Sequence, residues 1–259
     1  MDKINKRHEL VTTWIKEAAE FILDNKDNID VEEKTSINDL VTNMDKGIEK
    51  ELVKKIRETY PEDRIVSEEG YGDDVEDLDG TVWFLDPIDG TLNFVTQREN
   101  YAVMIGIFED GIGQQAYVYD VVQDKLYSAI KGRGVSCNEQ TLEVPKDRSL
   151  NEGVIGVSSV LLVENKFPFV REIGKASLGT RVIGSAGLES VEIVKGNTVA
   201  YIAANLKPWD VAPGLMFMEE LGMKATRFDN SPINLLENND TVLGTEAAHR
   251  QIMDKINPK

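Results

Sequence analysis

WFLDPIDGTLNF, residues 83–94, ends an apolar run in two carboxylates three positions apart. Trp83, Phe84 and Leu85 lead into Asp86; Pro87 and Ile88 separate it from Asp89, and Gly90, Thr91 and Asn93 follow. Side chains alternate faces along a strand, so acids at i and i+3 point to opposite sides unless the backbone turns between them. Pro87 removes a ladder donor and holds Asp86 extended. Gly90 frees the chain to turn. Thr91 onward is expected to begin a helix, whose free N–H groups form an anion site. The stretch reads either as a strand followed by a polar, capped turn, or as a turn that aims two carboxylates, a carbonyl and an anion cradle together. Oxygen donors of the second kind suit Mg2+ or Mn2+. The D-x-x-D spacing disfavours an aspartyl-phosphate mechanism, which calls for D-x-D on one strand face.

The 259 residues suffice for one large or two medium domains, and 41% hydrophobic content is ordinary for a soluble globular chain. No apolar run reaches the roughly eighteen residues of a membrane span. The opening MDKINKRHEL lacks the apolar core of a signal peptide, and the lone Cys137 cannot form an internal disulfide. Both fit a reducing cytoplasm. A net charge of −17 argues against a nucleic-acid surface. Taken alone it reflects solubility; with an anionic partner it demands bridging cations. His8 and His249 stand near the chain ends in charged, helix-like surroundings and read as surface residues. Mechanisms of the Ser-His-Asp or Cys-His kind, and a zinc site of His and Cys, are thereby disfavoured. Polar chemistry falls to carboxylates, hydroxyls, backbone groups and metals.

Leu10, Trp14, Ala18 and Phe21–Ile22 fall at helical spacing within residues 7–24. Residues 25–39 read as a loop or short hairpin, with Asp39 or Asn43 opening the next element. MDKGIEKELVKKIRETYP reads as a helix stopped at Pro61. A short strand at Ile65–Val66, the acidic loop GYGDDVEDLDG and the strand TVWFLD follow. NYAVMIGIFEDG and IGQQAYVYDVVQDKLYSAIKG continue as an antiparallel meander with turns at EDG and VQDK. Beyond about residue 140, a strand at GVIGVSS is followed by a helix and a strand at RVIGS, then by a helix at SAGLESVEIVKG, a strand at TVAYIAANL and a helix at VAPGLMFMEELGM ending at Gly222. The expected fold is mixed α+β and α/β: a helix-plus-antiparallel lobe over about 1–143, an alternating lobe over about 144–259, and a cleft between them.

Other acids admit two readings each. Glu68 and Glu69 in Ile65-Val66-Ser67-Glu68-Glu69-Gly70 are solvated unless a strand end brings one beside Asp86. Asp210, in Lys207-Pro208-Trp209-Asp210, is expected to cap a helix with a proline in its first turn. Asp45 is a cap or a first-turn acid.

Together these motifs resemble the inositol monophosphatase family. DLVTNMD, SEEG, WFLDPIDGTLNF, GRGVSCN with LEV, IGSAGLE and PWDVAPG follow the family's order and approximate spacing across residues 39–214. The resemblance implies a layered α-β-α-β-α sandwich of the inositol monophosphatase and sugar phosphatase type. It implies a Mg2+-dependent, lithium-sensitive phosphomonoesterase with two to three ions, commonly a homodimer, cleaving with water and forming no phosphoenzyme. Glu68, Asp86 and the Ile88 carbonyl match ligands of a first metal. Asp86, Asp89 and Asp210 match a second, and Glu68 a third, weaker one. Asp45 and Thr91 match the pair that orients and deprotonates water. Asp89, Gly90, Thr91, Gly184, Ser185, Ala186 and Asp210 match substrate contacts, with the Gly90 and Thr91 backbone on the phosphate. Lys34, Thr35 and Ser36 match a mobile loop near the metals.

The chain departs from that pattern at Ala203, where inositol-specific members often carry a glutamate that binds substrate hydroxyls. Pro213 after WDVA and Gly222-Met223 in place of Gly-Gly are smaller departures. Inositol monophosphate with relaxed specificity is the leading substrate. The NADP 2′-phosphate, 3′-phosphoadenosine phosphate and fructose 1,6-bisphosphate are alternatives. From another class, a catalytically silent metal-binding or interaction protein is opposed by the retained Asp45, Thr91 and four acids. The acidic loop 73–79 is a candidate contact for a protein partner.

Overall fold

The computed structural model describes residues 3–34 and 40–258. The chain opens with α1 (Lys3–Asn25), whose Val11, Trp14, Ile15, Ala18, Ala19 and Ile22 form one buried face. A small antiparallel hairpin follows, β1 (Val31–Glu33) with β2 (Leu40–Thr42). Thr42 then caps α2 (Asn43–Thr59): its hydroxyl accepts from Met44 N–H, and the Asp45 carboxylate accepts the Thr42 N–H in return. The helix stops two residues short of Pro61.

A seven-stranded sheet comes next. β3 (Arg64–Ser67) lies parallel to β4 (Thr81–Asp89). A short α3 (Thr91–Thr96) leads into β5 (Ala102–Glu109), β6 (Ile112–Asp120), β7 (Lys125–Ile130), β8 (Val135–Cys137) and β9 (Gln140–Thr141), all antiparallel and in chain order. β4 is buried along its whole length. Trp83 and Leu85 pack with α1 and α2, while Val82 and Phe84 pack with Val211 and Ala212 on the other face.

The second sheet has five strands. It begins with β10 (Val154–Val157), followed by the outer helices α4 (Ser159–Val163) and α5 (Phe169–Ala176) and by β11 (Thr180–Arg181). The inner helix α6 (Ala186–Val194) precedes β12 (Thr198–Leu206), and the inner helix α7 (Pro208–Glu220) precedes β13 (Lys224–Arg227) and β14 (Asn239–Gly244). The last helix is α8 (Glu246–Ile256). The strand order is β11-β10-β12-β14-β13, with β10 parallel to both neighbours and β14 antiparallel to both of its own.

Helices α6 and α7 sit between the two sheets: Leu188, Val191, Met216 and Phe217 share one core with Met104 and Val118 of the first sheet and Tyr201 and Leu243 of the second. Ile173 of α5 and Ile252 of α8 cover the outer face of the second sheet. The layers therefore run α-β-α-β-α, as the sequence led us to expect.

Three expectations are corrected. Of RVIGS, only Arg181 pairs in the sheet; Val182–Ser185 leave it toward the first sheet. His249 is buried, its Nε2 2.8 Å from the Thr226 hydroxyl, because α8 turns that face onto β13. His8 is half-buried, stacked on Tyr117 with Nδ1 3.0 Å from the phenol oxygen. Burial lowers the proton affinity of both imidazoles, so they pack as neutral rings. Among the described residues, no helix is long and apolar enough to cross a membrane.

Candidate active site

The site is organised by an irregularity in β4. Pairing with β5 runs Leu85 to Ile105 and Asp86 to Met104, then jumps to Asp89 opposite Ala102. Three steps on β4 face two on β5, so β4 carries one extra residue as a bulge. The extra residue reverses the pleat's parity. Asp86 and Asp89 consequently share the face of Met104 and Ala102, which point into the α6–α7 layer. The expected turn between the acids is thus a bulge inside the strand, with Ile88 N–H donating to Asp86 Oδ1 at 3.0 Å across it.

The true turn comes at Gly90, whose φ is +92°. It aims Thr91 back at α2. The Thr91 Oγ1 lies 3.0 Å from Asp45 Oδ1 and 2.9 Å from the Ile88 carbonyl oxygen. Asp45 is buried at the third position of α2, and its Oδ2 accepts the Thr42 N–H at 2.8 Å and the Thr42 hydroxyl at 2.5 Å. Burial raises the proton affinity of Asp45, while the Thr42 and Thr91 donors partly offset it.

Glu68 prolongs β3, its N–H donating to the Leu85 carbonyl at 3.3 Å, which brings its carboxyl into hydrogen-bonding contact with Asp86. Lys34 Nζ sits 2.8 Å from Glu68 and 2.5 Å from Glu69. Beneath this turn, the buried Glu49 accepts from Ser67 Oγ at 2.6 Å, Glu69 N–H at 2.7 Å and Tyr71 N–H at 2.9 Å.

The opposite wall comes from the two inner helices. Asp89 faces the start of α6, accepting Ser185 Oγ–H at 2.5 Å, Ala186 N–H at 3.0 Å and Gly187 N–H at 2.7 Å. A β-carbon at Gly187 would collide with the Met104 sulfur and sit 3.0 Å from Asp89 Oδ2, so the helix start reaches the acid only through glycine. Asp210 is the third residue of α7, not its cap. Lys207 takes the cap position, and the Asp210 carboxylate reaches back to its N–H at 2.8 Å.

Burial and mutual repulsion set the electrostatics. Asp86 is held well above the usual carboxylate range by burial and then by Glu68, Asp89 and Asp210. Asp210 is raised likewise by burial, Asp89 and Glu68. Burial raises Glu68 and Asp89 too. Among the described residues, no three acids, histidines or cysteines close into a ready coordination shell. Asp89 and Asp210 direct oxygens to helix N–H groups, and Lys34 supplies positive charge at Glu68. An enclosed set of anionic oxygens that raise one another's proton affinity is nevertheless the donor chemistry that Mg2+ and Mn2+ take, so the residues fit divalent cations.

The fold thus gathers Asp45, Glu68, Asp86, Ile88, Asp89, Gly90, Thr91, Gly184, Ser185, Ala186 and Asp210 around the start of α3, α6 and α7. Of these acids Lys34 reaches Glu68; Thr35 and Ser36 lie outside the described residues. Sequence reasoning missed Glu49, Glu189 and Asn93, which brace this region from beneath. Glu49 had one signal, since it follows Asp45 by one helical turn.

Fold and comparisons define a phosphatase. The chain matches the inositol monophosphatase family over residues 5–259, and it belongs to that family. It is 39% identical over 255 residues to the inositol-1-monophosphatase of Bacillus subtilis, with 95% of each chain covered. It also superposes on a crystal structure of an IMPase/NADP phosphatase complexed with NADP and Ca2+ (TM-score 0.94, 31% identity, 100% of this chain and 98% of that one). A crystal structure of IMPase/NADP phosphatase complexed with Mg2+ and phosphate gives 0.93 at 31% identity, covering 100% and 97%.

Proposed function

We propose that this phosphatase hydrolyses a small-molecule phosphate monoester with two to three divalent cations, Mg2+ foremost and Mn2+ next. Glu68, Asp86 and the Ile88 carbonyl would hold one cation, Asp86, Asp89 and Asp210 another, and Glu68 a third. The observation that carries this reading is the shared face of Asp86 and Asp89 created by the β4 bulge, with Glu68 and Asp210 close enough to Asp86 to raise its proton affinity. When bound, such cations neutralise the phosphate, lower the pKa of a bound water and stabilise the leaving alkoxide.

The chain's own residues supply position and a proton path. Thr91 Oγ1 donates to Asp45 and presents a lone pair to an attacking water, so that water's proton passes through Thr91 to Asp45. The raised proton affinity of Asp45 makes it a stronger base than an exposed carboxylate. The first N–H groups of α3 have no partner within that helix and are assigned to the phosphate. Gly184, Ser185 and Ala186 face the same space and are assigned to the substrate.

Inositol monophosphate with relaxed specificity is the leading substrate, in keeping with the Bacillus relative. A second reading, NADP or another nucleotide phosphate, has its own support. Ala203 is fully buried on β12 in the core shared with α6 and α7, so no carboxylate is offered to inositol hydroxyls there, and a similar structure holds NADP. The deciding experiment is a Mg2+-dependent screen of inositol monophosphates, NADP, 3′-phosphoadenosine phosphate and fructose 1,6-bisphosphate. Failure to release phosphate from any of them would sink the reading.

We likewise propose that the chain is one unit whose lobes meet near residue 143, between β9 and β10. It would work as a cytoplasmic homodimer, which light scattering of the purified protein would test.

A further inference from the structure

The peptide of Ile183 is held from both sides by buried side chains of two different layers. Its N–H donates to Glu189 Oε1, on α6, at 2.8 Å. Its carbonyl accepts from Asn93 Nδ2, on α3, at 2.8 Å, and Asn93 also donates to the Asn100 carbonyl at 2.9 Å. Asn93 and Glu189 are 5% and 1% exposed. The second oxygen of Glu189 has no hydrogen-bond partner and presses on β10, where Gly156 alone leaves room for it. An unpaired buried carboxylate oxygen is costly, so packing alone does not account for an acid there.

The residues just after Ile183 account for the arrangement. Gly184, at φ +83°, has the Asn93 amide against its α-carbon; a β-carbon would lie 3.2 Å from Nδ2. It also backs onto Gly90, whose own β-carbon would meet the Gly184 carbonyl oxygen at 3.3 Å. The next three residues, Ser185, Ala186 and Gly187, supply the three donors to Asp89. The terminal torsion of an aspartate is broad. Its carboxylate keeps one rotation only when fixed donors hold it.

We propose that Glu189 and Asn93 are positioning residues. By gripping the Ile183 peptide they set the Gly184–Ser185 turn, and through it the rotation of the Asp89 carboxylate. The functional consequence rests on the proposed role of Asp89 as a cation ligand; the grip itself does not.

The test compares Glu189→Met, which keeps the length and loses the acceptor, Glu189→Gln, which keeps the acceptor, and Asn93→Asp, which loses both donors. Two readouts are needed on the full chain: amide hydrogen exchange at Ala186 and Gly187 in EDTA, and Mg2+ binding by calorimetry. Exchange is expected to rise about tenfold in Glu189→Met and Asn93→Asp, the scale of one lost buried hydrogen bond. Exchange in β5 should stay unchanged, and Mg2+ affinity should fall several-fold. Glu189→Gln should stay within about twofold of wild type on both counts. Unchanged exchange in the first two variants overturns the grip, as does a Gln variant as loose as the Met one. Faster exchange with unaltered Mg2+ affinity overturns the link to Asp89. Wild-type protein that binds Mg2+ yet cleaves no phosphate ester would count against the proposed activity alone.

Discussion

Thr91 Oγ1 stands 3.0 Å from Asp45 Oδ1, joining the first turn of α3 to the first turn of α2 across the candidate site. If this contact carries the water's proton, Thr91→Val should lower kcat by roughly 10²–10⁴. KM should change little, and the thermal midpoint should stay close to wild type. Thr91→Ser should recover most of the rate. A valine variant that turns over normally would remove Thr91 from the mechanism.

Asp86 separates activity from stability. Its carboxyl is buried among Glu68, Asp89 and Asp210. Asp86→Asn should cost at least about 10³ in kcat. In EDTA the same variant should melt higher than wild type, because an acid whose ionisation burial and three neighbouring carboxyls oppose is gone. Mg2+ should stabilise wild type, by about 2.7 kcal/mol at a hundredfold excess over Kd, and the variant by less. Scanning calorimetry with and without Mg2+ measures both effects; identical metal responses would refute the assignment of Asp86.

Glu189 gives the metal-free protein a pH dependence of defined sign. Burial first, and then Glu192 and Asp89, push its carboxyl up to about 7 from 4.5, against the Ile183 N–H. A carboxyl raised in the folded state favours folding below its unfolded value and withdraws that contribution as pH climbs through about 7. The full span of the shift corresponds to about 3 kcal/mol. Urea denaturation in EDTA at pH 5 and pH 8 should show Glu189→Gln gaining on wild type by about 1–3 kcal/mol between the two. The neighbouring acids titrate in both proteins and largely cancel. A pH-independent difference would contradict the placement of Glu189.

Arg7 concerns the fold alone. Its guanidinium is buried, 5.0 Å from the Tyr60 ring centre and 5.6 Å from that of Trp83, with Nη2 3.6 Å from Asp63 Oδ2. Asp63 also accepts the Trp83 indole N–H at 2.8 Å. Arg7→Ala should destabilise the protein by about 3 kcal/mol, combining lost packing with an uncompensated acid. Arg7→Met should lose less, and both should keep wild-type kcat. A drop in kcat at unchanged KM would connect this corner to the site.

The layering was legible only through the family resemblance, whereas α1 and the meander of β5, β6 and β7 were legible because periodicity records burial locally, with Phe21 of the expected α1 face left exposed. The four acids were legible as a set through their ordered motifs. Their geometry was not. The spacing of Asp86 and Asp89 signals a break between them, but a bulge and a turn both satisfy it, and only the pairing with Met104 and Ala102 decides. Asp210 looked like a cap because Pro213 would then fall in the first turn; the helix instead starts at Pro208, which leaves Pro213 inside it. His249 looked exposed among charges because its burial depends on β13, more than twenty residues away. Glu49 and Asn93 stayed invisible because they bind groups remote in sequence, Ser67, Glu69 and Tyr71 for the one and the Ile183 carbonyl for the other; Glu189 binds the nearby Ile183 N–H, a contact to backbone that no motif spells out.

Lys34 places an ammonium on Glu68 and Glu69. A divalent ion held by Glu68, as proposed, would meet a resident counter-ion, and its uptake would be an exchange of one cation for another. The affinity read in a titration would then be a difference between two attractions to the same carboxylate. Lys34→Met would leave that carboxylate unopposed, so the protein that has lost a charge would be the greedier for magnesium.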